Sequence, residues 1–280
     1  MASKKVVLST YQEISDRANQ AREIFRRRGI KLHAESSLGR ILRVANKVSA
    51  AWEEGHRSSH IRQIVEVSLA GRIADAIIAV ADEPDALQSL RRIAGNSMDL
   101  QHRTQSQGKD HLWELELCDL LRRRGIKADL VDPPDIQASI GGVAIPIACK
   151  KVYSEKGVEA QMRKGVRQIE ARGEGGIVAM NIDDLMPEDG LLNQPDHEAA
   201  SVWLGNFVMS FIGRHQRHFE RFVAAGRCDG IFVSASCVCD LAQGGPRFTT
   251  VTDTTLWTLD SLSARARLRV ELLRDAMIPA

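Results

Sequence analysis

The chain has 280 residues, enough to bury one large or two modest hydrophobic cores. Its 38 Lys and Arg against 36 Asp and Glu leave a net charge of +2, so bulk charge argues for no nucleic-acid partner and local clustering must make that case. Five cysteines form neither an even disulfide set nor a CxxC pair. The opening MASKKVVLSTYQ has no apolar leader core, and no run reaches the ~18 apolar residues of a membrane span, so the expectation is a soluble, cytoplasmic protein in a reducing compartment.

In chain order, three apolar stripes at helical spacing come first: Ile14, Ala18, Ala21, Ile24 and Phe25, closed by Gly29; Leu38, Ile41, Leu42, Ala45 and Val48; and Ile61, Ile64, Val65, Leu69, Ile73 and Ile77. No strand pattern interrupts them, which predicts an all-helical N-terminal domain over 1–98. The hexapeptide RRRGIK occurs at Arg26 to Lys31 and again at Arg122 to Lys127. Basic residues in a last turn followed by Gly suit a helix end, so convergence explains the repeat better than duplication. Between Gly95 and Asp110 the periodicity lapses into Gln, Ser and Gly. That marks a linker, and a second domain is expected over 99–280.

HLWELELCDLLRRRGIK then reads as a helix with Trp113, Leu117, Leu120 and Leu121 inward. At about 100° per residue Glu114 falls on the shoulder of that face, whereas Glu116 lies beside Arg123 on the more solvated side. Next come two apolar runs, Ile136 to Ile140 and Val143 to Cys149, joined by Gly141-Gly142, a pair suited to the positive φ of a two-residue hairpin. That turn sets Ile140 against Val143, Ile136 against Ile147 and Asp135 against Ala148. Side chains alternate with period two, so Asp135, Ala148 and Lys150 share one face, and Ile136, Ile145, Ile147 and Cys149 form the core face.

Pro134-Asp135 opening one strand and Ala148-Cys149-Lys150 on the next resemble the signature of the PD-(D/E)XK nuclease superfamily, with Ala148 where such nucleases carry an acid. The succession of helix, PD strand, K strand and helix strengthens the likeness. The second helix is expected over Lys156 to Arg172, with Val158, Met162, Val166 and Ile169 inward. The resemblance covers roughly Leu112 to Ile169. It implies a restriction-endonuclease-like α/β fold with a mixed sheet flanked by helices, a Mg²⁺ or Mn²⁺ cofactor, and DNA as partner, in a restriction, repair or antiphage-defence setting. It also implies Asp135 and Glu114 as metal ligands, Lys150 positioning the attacking water or stabilising charge, and Gln168 near the active site. A hydrolytic nuclease needs hard oxygen ligands of this kind for its divalent ion.

Ala148 leaves such a metal one anionic ligand short. Three accounts stand: a branch that draws its second acid from Glu114 or Asp132, a non-catalytic nucleic-acid-binding or assembly relative, or an active-site substitution of an original Glu. Lys151, Arg163, Lys164 and Arg167 are the candidate phosphate contacts. The Arg214 to His218 run with Arg221 reads as an exposed helix face or a DNA contact. Zinc is disfavoured because Cys237 and Cys239 are too close in sequence, and Cys149 reads as packing.

Farther on, strands are expected at Gly176 to Ile182 and Ile231 to Val238, and a Thr-rich strand or hairpin at Phe248 to Leu259. A loop is expected from Asp183 to Pro195, a long helix from Val202 to Ala225 and a last helix from Leu262 to Met277. Strands alternating with helices imply a sheet covered on both faces. The helical N-terminal domain would serve a homodimer contact, a partner protein or DNA.

Overall fold

A computed structural model describes residues 10–55, 61–100, 102–173, 175–186, 191–243 and 248–278. The opening residues 1–9, the middle of the expected 183–195 loop and the Ile61 side chain lie outside them. Among the described residues the chain is a mixed α/β structure in which helices precede a seven-stranded mixed sheet. No described helix is long and apolar enough to cross a membrane.

Four helices come first: α1 (Tyr11–Arg27), α2 (Ser37–Glu53), α3 (Ile61–Ala79) and α4 (Leu87–Gly95), the last entered through a 3-10 turn at Pro84–Ala86. A reciprocal capping box starts α1: Thr10 Oγ1 accepts from the Glu13 N–H at 3.1 Å, and Glu13 Oε2 accepts from the Thr10 N–H at 2.7 Å. Its expected stripe is buried, with Ala18, Ala21, Ile24 and Phe25 fully enclosed. Both RRRGIK segments end a helix, with Gly29 at φ +65° and Gly125 at +77°, the left-handed conformation that only glycine adopts at little cost.

The next helix, α5 (Gln107–Arg123), buries more than the one expected face. Leu112, Trp113, Leu115, Leu117, Cys118 and Leu121 are all enclosed, because α5 lies between α3 and α4 on one side and the sheet on the other. A helix covered on two sides loses the one-sided stripe from which solvated positions are inferred.

The sheet is built from β1 (Lys127–Leu130), β2 (Ile136–Ile140), β3 (Val143–Lys151), β4 (Ile177–Asn181), β5 (Leu191–Gln194), β6 (Gly230–Leu241) and β7 (Phe248–Trp257). Neighbours run β1-β2-β3-β4-β6, with β5 and β7 also on β6. The hairpin register is as expected, with Ile140 opposite Val143 and Ile136 opposite Ile147. Strands β3, β4 and β6 are parallel, and the crossovers carry α6 (Val158–Glu170) and α7 (His197–Ala224); α8 (Ala264–Met277) follows β7. Strands β1 and β5 were not anticipated. The first shows only a four-residue alternation, with Ala128 and Leu130 buried, and the second lies inside the expected loop.

Alternation along β3 divides the core. Ile145, Ile147 and Cys149 join the cluster that runs through α1 to α5 and α8, while Ala148 joins Val158, Met162, Val166 and Val178 under α6 and α7. Buried residues of the N-terminal helices and one face of the sheet therefore form a continuous apolar cluster.

Candidate active site

The carboxyl ends of parallel strands are where open α/β sheets present ligands, and the ionisable groups gather at that end here. Asp135 precedes β2, anchored by its N–H to the Ile147 carbonyl at 3.2 Å. Its carboxylate is buried and accepts three hydrogen bonds. Oδ2 accepts from the Cys149 N–H at 2.6 Å and from Lys150 Nζ at 3.0 Å, and Oδ1 accepts from Gln168 Nε2 at 3.0 Å. Asp135, Lys150 and Gln168 are thus brought together as the resemblance implies.

Lys150 Nζ also donates to the Cys149 carbonyl at 2.5 Å. One ammonium thus spans a carboxylate and a carbonyl oxygen. Gln168 uses its Nε2 on Asp135 and leaves Oε1 buried without a partner. Gly165 allows α6 to approach this closely, since a Cβ there would lie 2.9 Å from Val178 Cγ1 and 3.5 Å from Lys150 Cγ. Arg172, just past α6, donates Nε to the Pro133 carbonyl at 2.6 Å and ties the Pro-Pro-Asp segment to that helix.

Glu114 approaches from α5, on the other face of the sheet. Its Oε2 is 2.7 Å from His111 Nδ1, and His111 Nδ1 is also 3.2 Å from Ser89 Oγ. Burial pushes the Glu114 carboxyl above the usual carboxylate range, with His111 opposing and the Asp135 charge reinforcing. Burial disfavours charge on His111, yet the hydrogen bond to Glu114 and the nearby carboxylates outweigh it and raise the imidazole. Beside them Asp110 is raised by burial, against the hydrogen bond it accepts from the Tyr153 hydroxyl at 2.8 Å.

These groups line a cavity of about 870 Å³ whose wall also includes Asp132, Lys164, Arg167 and Arg172. Glu114, Asp135, Lys150, Gln168, Lys164 and Arg167 were expected at a site; His111 and Arg172 were not. His111 carried a legible signal, three residues before Glu114 on the same helix face. Arg172 did not, because its partner is a carbonyl thirty-nine positions away.

Several expectations are corrected. Ala148 has no exposed surface and sits in the apolar cluster beneath α6, so its position belongs to the core rather than to the cavity wall. Lys151 lies on the same cavity but is buried, with Nζ 2.7 Å from Asp184 Oδ2 and 2.6 Å from Asn181 Oδ1. Its charge is committed there, where the parallel register pairs Lys151 with Asn181. Arg163 turns to Glu159 at 2.9 Å and is not among the residues lining the cavity. Glu116, expected in solvent, is bound by Arg72, which also holds Asp183 at 2.6 Å. The basic run on α7 is paired with acids at the start of α6 and in the turn before it: Arg214 and His215 bind Glu155, and Arg221 binds Glu159 at 2.7 Å. Cys237 and Cys239 bring their sulfurs within 3.7 Å of each other.

Among the described residues no group of three or more His, Cys, Asp and Glu side chains is arranged to hold a metal ion. The donors in this region are of the hard oxygen type such a cation takes: two carboxylates, the Cys149 carbonyl that faces an ammonium, and the orphaned Gln168 Oε1. Mg²⁺ commonly rests on one or two carboxylates and completes its shell with water and phosphate. No protein-family model matches this chain, and comparisons with curated proteins and with solved structures find no match.

Proposed function

We propose that this protein is a metal-dependent nuclease of the PD-(D/E)XK type on a restriction-endonuclease-like sheet, hydrolysing phosphodiester bonds of DNA. The observation that carries the reading is the Asp135 carboxylate held between Lys150 Nζ and Gln168 Nε2, at 3.0 Å each, in a cavity with cations on its wall. Asp135 and Glu114 would hold Mg²⁺ or Mn²⁺, which supplies charge neutralisation at phosphate and a more acidic bound water. The chain's own groups do the rest. Lys150 stabilises negative charge developing beside Asp135, Gln168 fixes the carboxylate plane, and Lys164 and Arg167 hold the flanking phosphates.

A specific observation favours a second reading. With Ala148 in the core and three protein donors already on the Asp135 carboxylate, the site is short of anionic charge, as a non-catalytic nucleic-acid-binding or assembly protein would be. Plasmid nicking with Mg²⁺ and Mn²⁺, run beside calorimetric metal titration, separates the two. Cleavage that disappears in Asp135→Ala and Lys150→Ala supports the nuclease; DNA binding without metal uptake or cleavage supports the second reading.

A further inference from the structure

The α1–α2 corner holds a second cavity, of about 430 Å³, lined by Arg22, Arg26, Lys31 and Arg43 together with Phe25 and Ile30 and by no acidic residue. The neighbouring carboxylates are spent at its edge: Glu23 on Arg26 and the exposed Glu35 on Arg43 at 3.1 Å. Arg22 is half-buried, and its one hydrogen bond among the described residues reaches the Gly39 carbonyl at 3.5 Å. Burial and the facing Arg43 guanidinium both lower its affinity for its proton. Two guanidiniums that line one cavity, with no carboxylate in its lining, form an arrangement that an anion completes.

The corner is linked to the candidate site through one intervening turn. Arg28, at the end of α1, donates to the Ala81 and Glu83 carbonyls at 2.7 and 2.8 Å. That turn leads into Pro84–Ala86, and Asp85, Gln88 and Ser89 form part of the wall of the large cavity. Four cationic side chains around a cavity with no acidic lining suit an anion, and the candidate site carries cations of its own at Lys164, Arg167 and Arg172, so a polyanion such as a nucleic-acid backbone can engage both.

We propose that the α1–α2 corner binds a backbone phosphate of the same nucleic-acid strand that the candidate active site engages. This rests on the reading of that site as a nucleic-acid site. Guanidinium pairs hold phosphate by paired N–H donors, and each phosphate surrendered lowers the salt slope of binding by about 0.9. Binding of labelled duplexes of increasing length to the full chain, measured by anisotropy over a range of salt, tests it. Arg22→Gln/Arg43→Gln should weaken long duplexes by roughly tenfold and flatten the salt slope by one to two units. Short duplexes that reach only the cavity should bind unchanged. Because Arg43 also holds the Ala34 carbonyl, the exposed pair Arg26→Gln/Lys31→Gln serves as the second variant and should show the same length dependence without loss of fold. Unchanged affinity and slope in both variants, while Lys164→Gln/Arg167→Gln still weakens binding, overturns the corner and leaves the active-site reading standing. Loss in the corner variants alone, with no effect of the cavity variants, overturns the shared strand. Retention on heparin or anionic vesicles that depends on the corner, without any nucleic-acid binding, overturns both.

Discussion

Two clusters of buried charge flank α5, one around Glu114 and one around Glu116, and they differ in what completes them. Two residues on a helix are about 200° apart, so the neighbouring acids point to opposite sides. Glu116 meets Arg72, which also holds Asp183, and Asp183 accepts in addition from the Ser236 N–H at 2.8 Å. Burial opposes the charge on Arg72, but Asp183 and Glu116 more than reverse it. Arg72, with the Ser236 N–H, draws Asp183 below the carboxylate range in spite of burial, while burial keeps Glu116 above it. Protein groups alone complete that set. Around Glu114 the charges face a cavity, an amide oxygen is left over and the acid is raised by burial. Arg72 and Glu116 line a cavity as well, of about 390 Å³, so the contrast lies in pairing: an acid raised by burial beside an unpartnered amide is the kind of arrangement on which the proposed function rests.

The largest effect that separates the clusters is on cleavage. Asp135→Ala should reduce metal-dependent nicking by roughly 10³-fold, the scale of losing a group that stabilises transition-state charge, with the fold retained by circular dichroism. Arg72→Met should instead unfold the protein more readily, by on the order of 3 kcal/mol, because Glu116 and Asp183 are left buried without their cation. Urea titration measures it, and equal effects of both variants on stability would erase the distinction.

Position 148 sharpens the same comparison. Ala148→Glu places a larger, ionisable side chain among Met162, Val166 and Val178 and should cost about 1–3 kcal/mol from overpacking alone. Thermal unfolding with and without Mg²⁺ is decisive: a Mg²⁺-dependent recovery of stability would show that the new carboxylate reaches Asp135, contrary to the packing described above. Lys151→Met tests the adjacent lysine, where loss of stability is expected together with unchanged salt dependence of DNA binding, since Nζ is committed to Asp184.

The smallest expected effect is on pH dependence. Glu114 and His111 both bind protons more tightly in the folded chain than outside it. Their contribution is therefore fully present below the ordinary carboxylate range and declines as pH rises through the raised folded values. Glu114→Gln should flatten that decline above the ordinary carboxylate range. Parallel urea stability profiles for the variant and the parent would show that the pair does not hold the proton.

Local chemistry settled a good deal in this chain. Gly141-Gly142 and the period-two alternation set the hairpin register and place Asp135 and Lys150 on one face, because a two-residue turn leaves no freedom to slip. Capping residues and apolar stripes likewise locate α1 and α2. Tertiary structure decided the rest, wherever a partner is distant in sequence or a second layer covers the element. Glu116 looks solvated until α3 brings Arg72 against it, Lys151 looks like a phosphate contact until β4 presents Asn181 and Asp184 follows, and Ala148 looks like a missing ligand until α6 closes over it. The α1–α2 corner belongs there too: Arg22 and Arg43 lie on different helices, and only the packing of α1 on α2 turns two ordinary surface arginines into a facing pair.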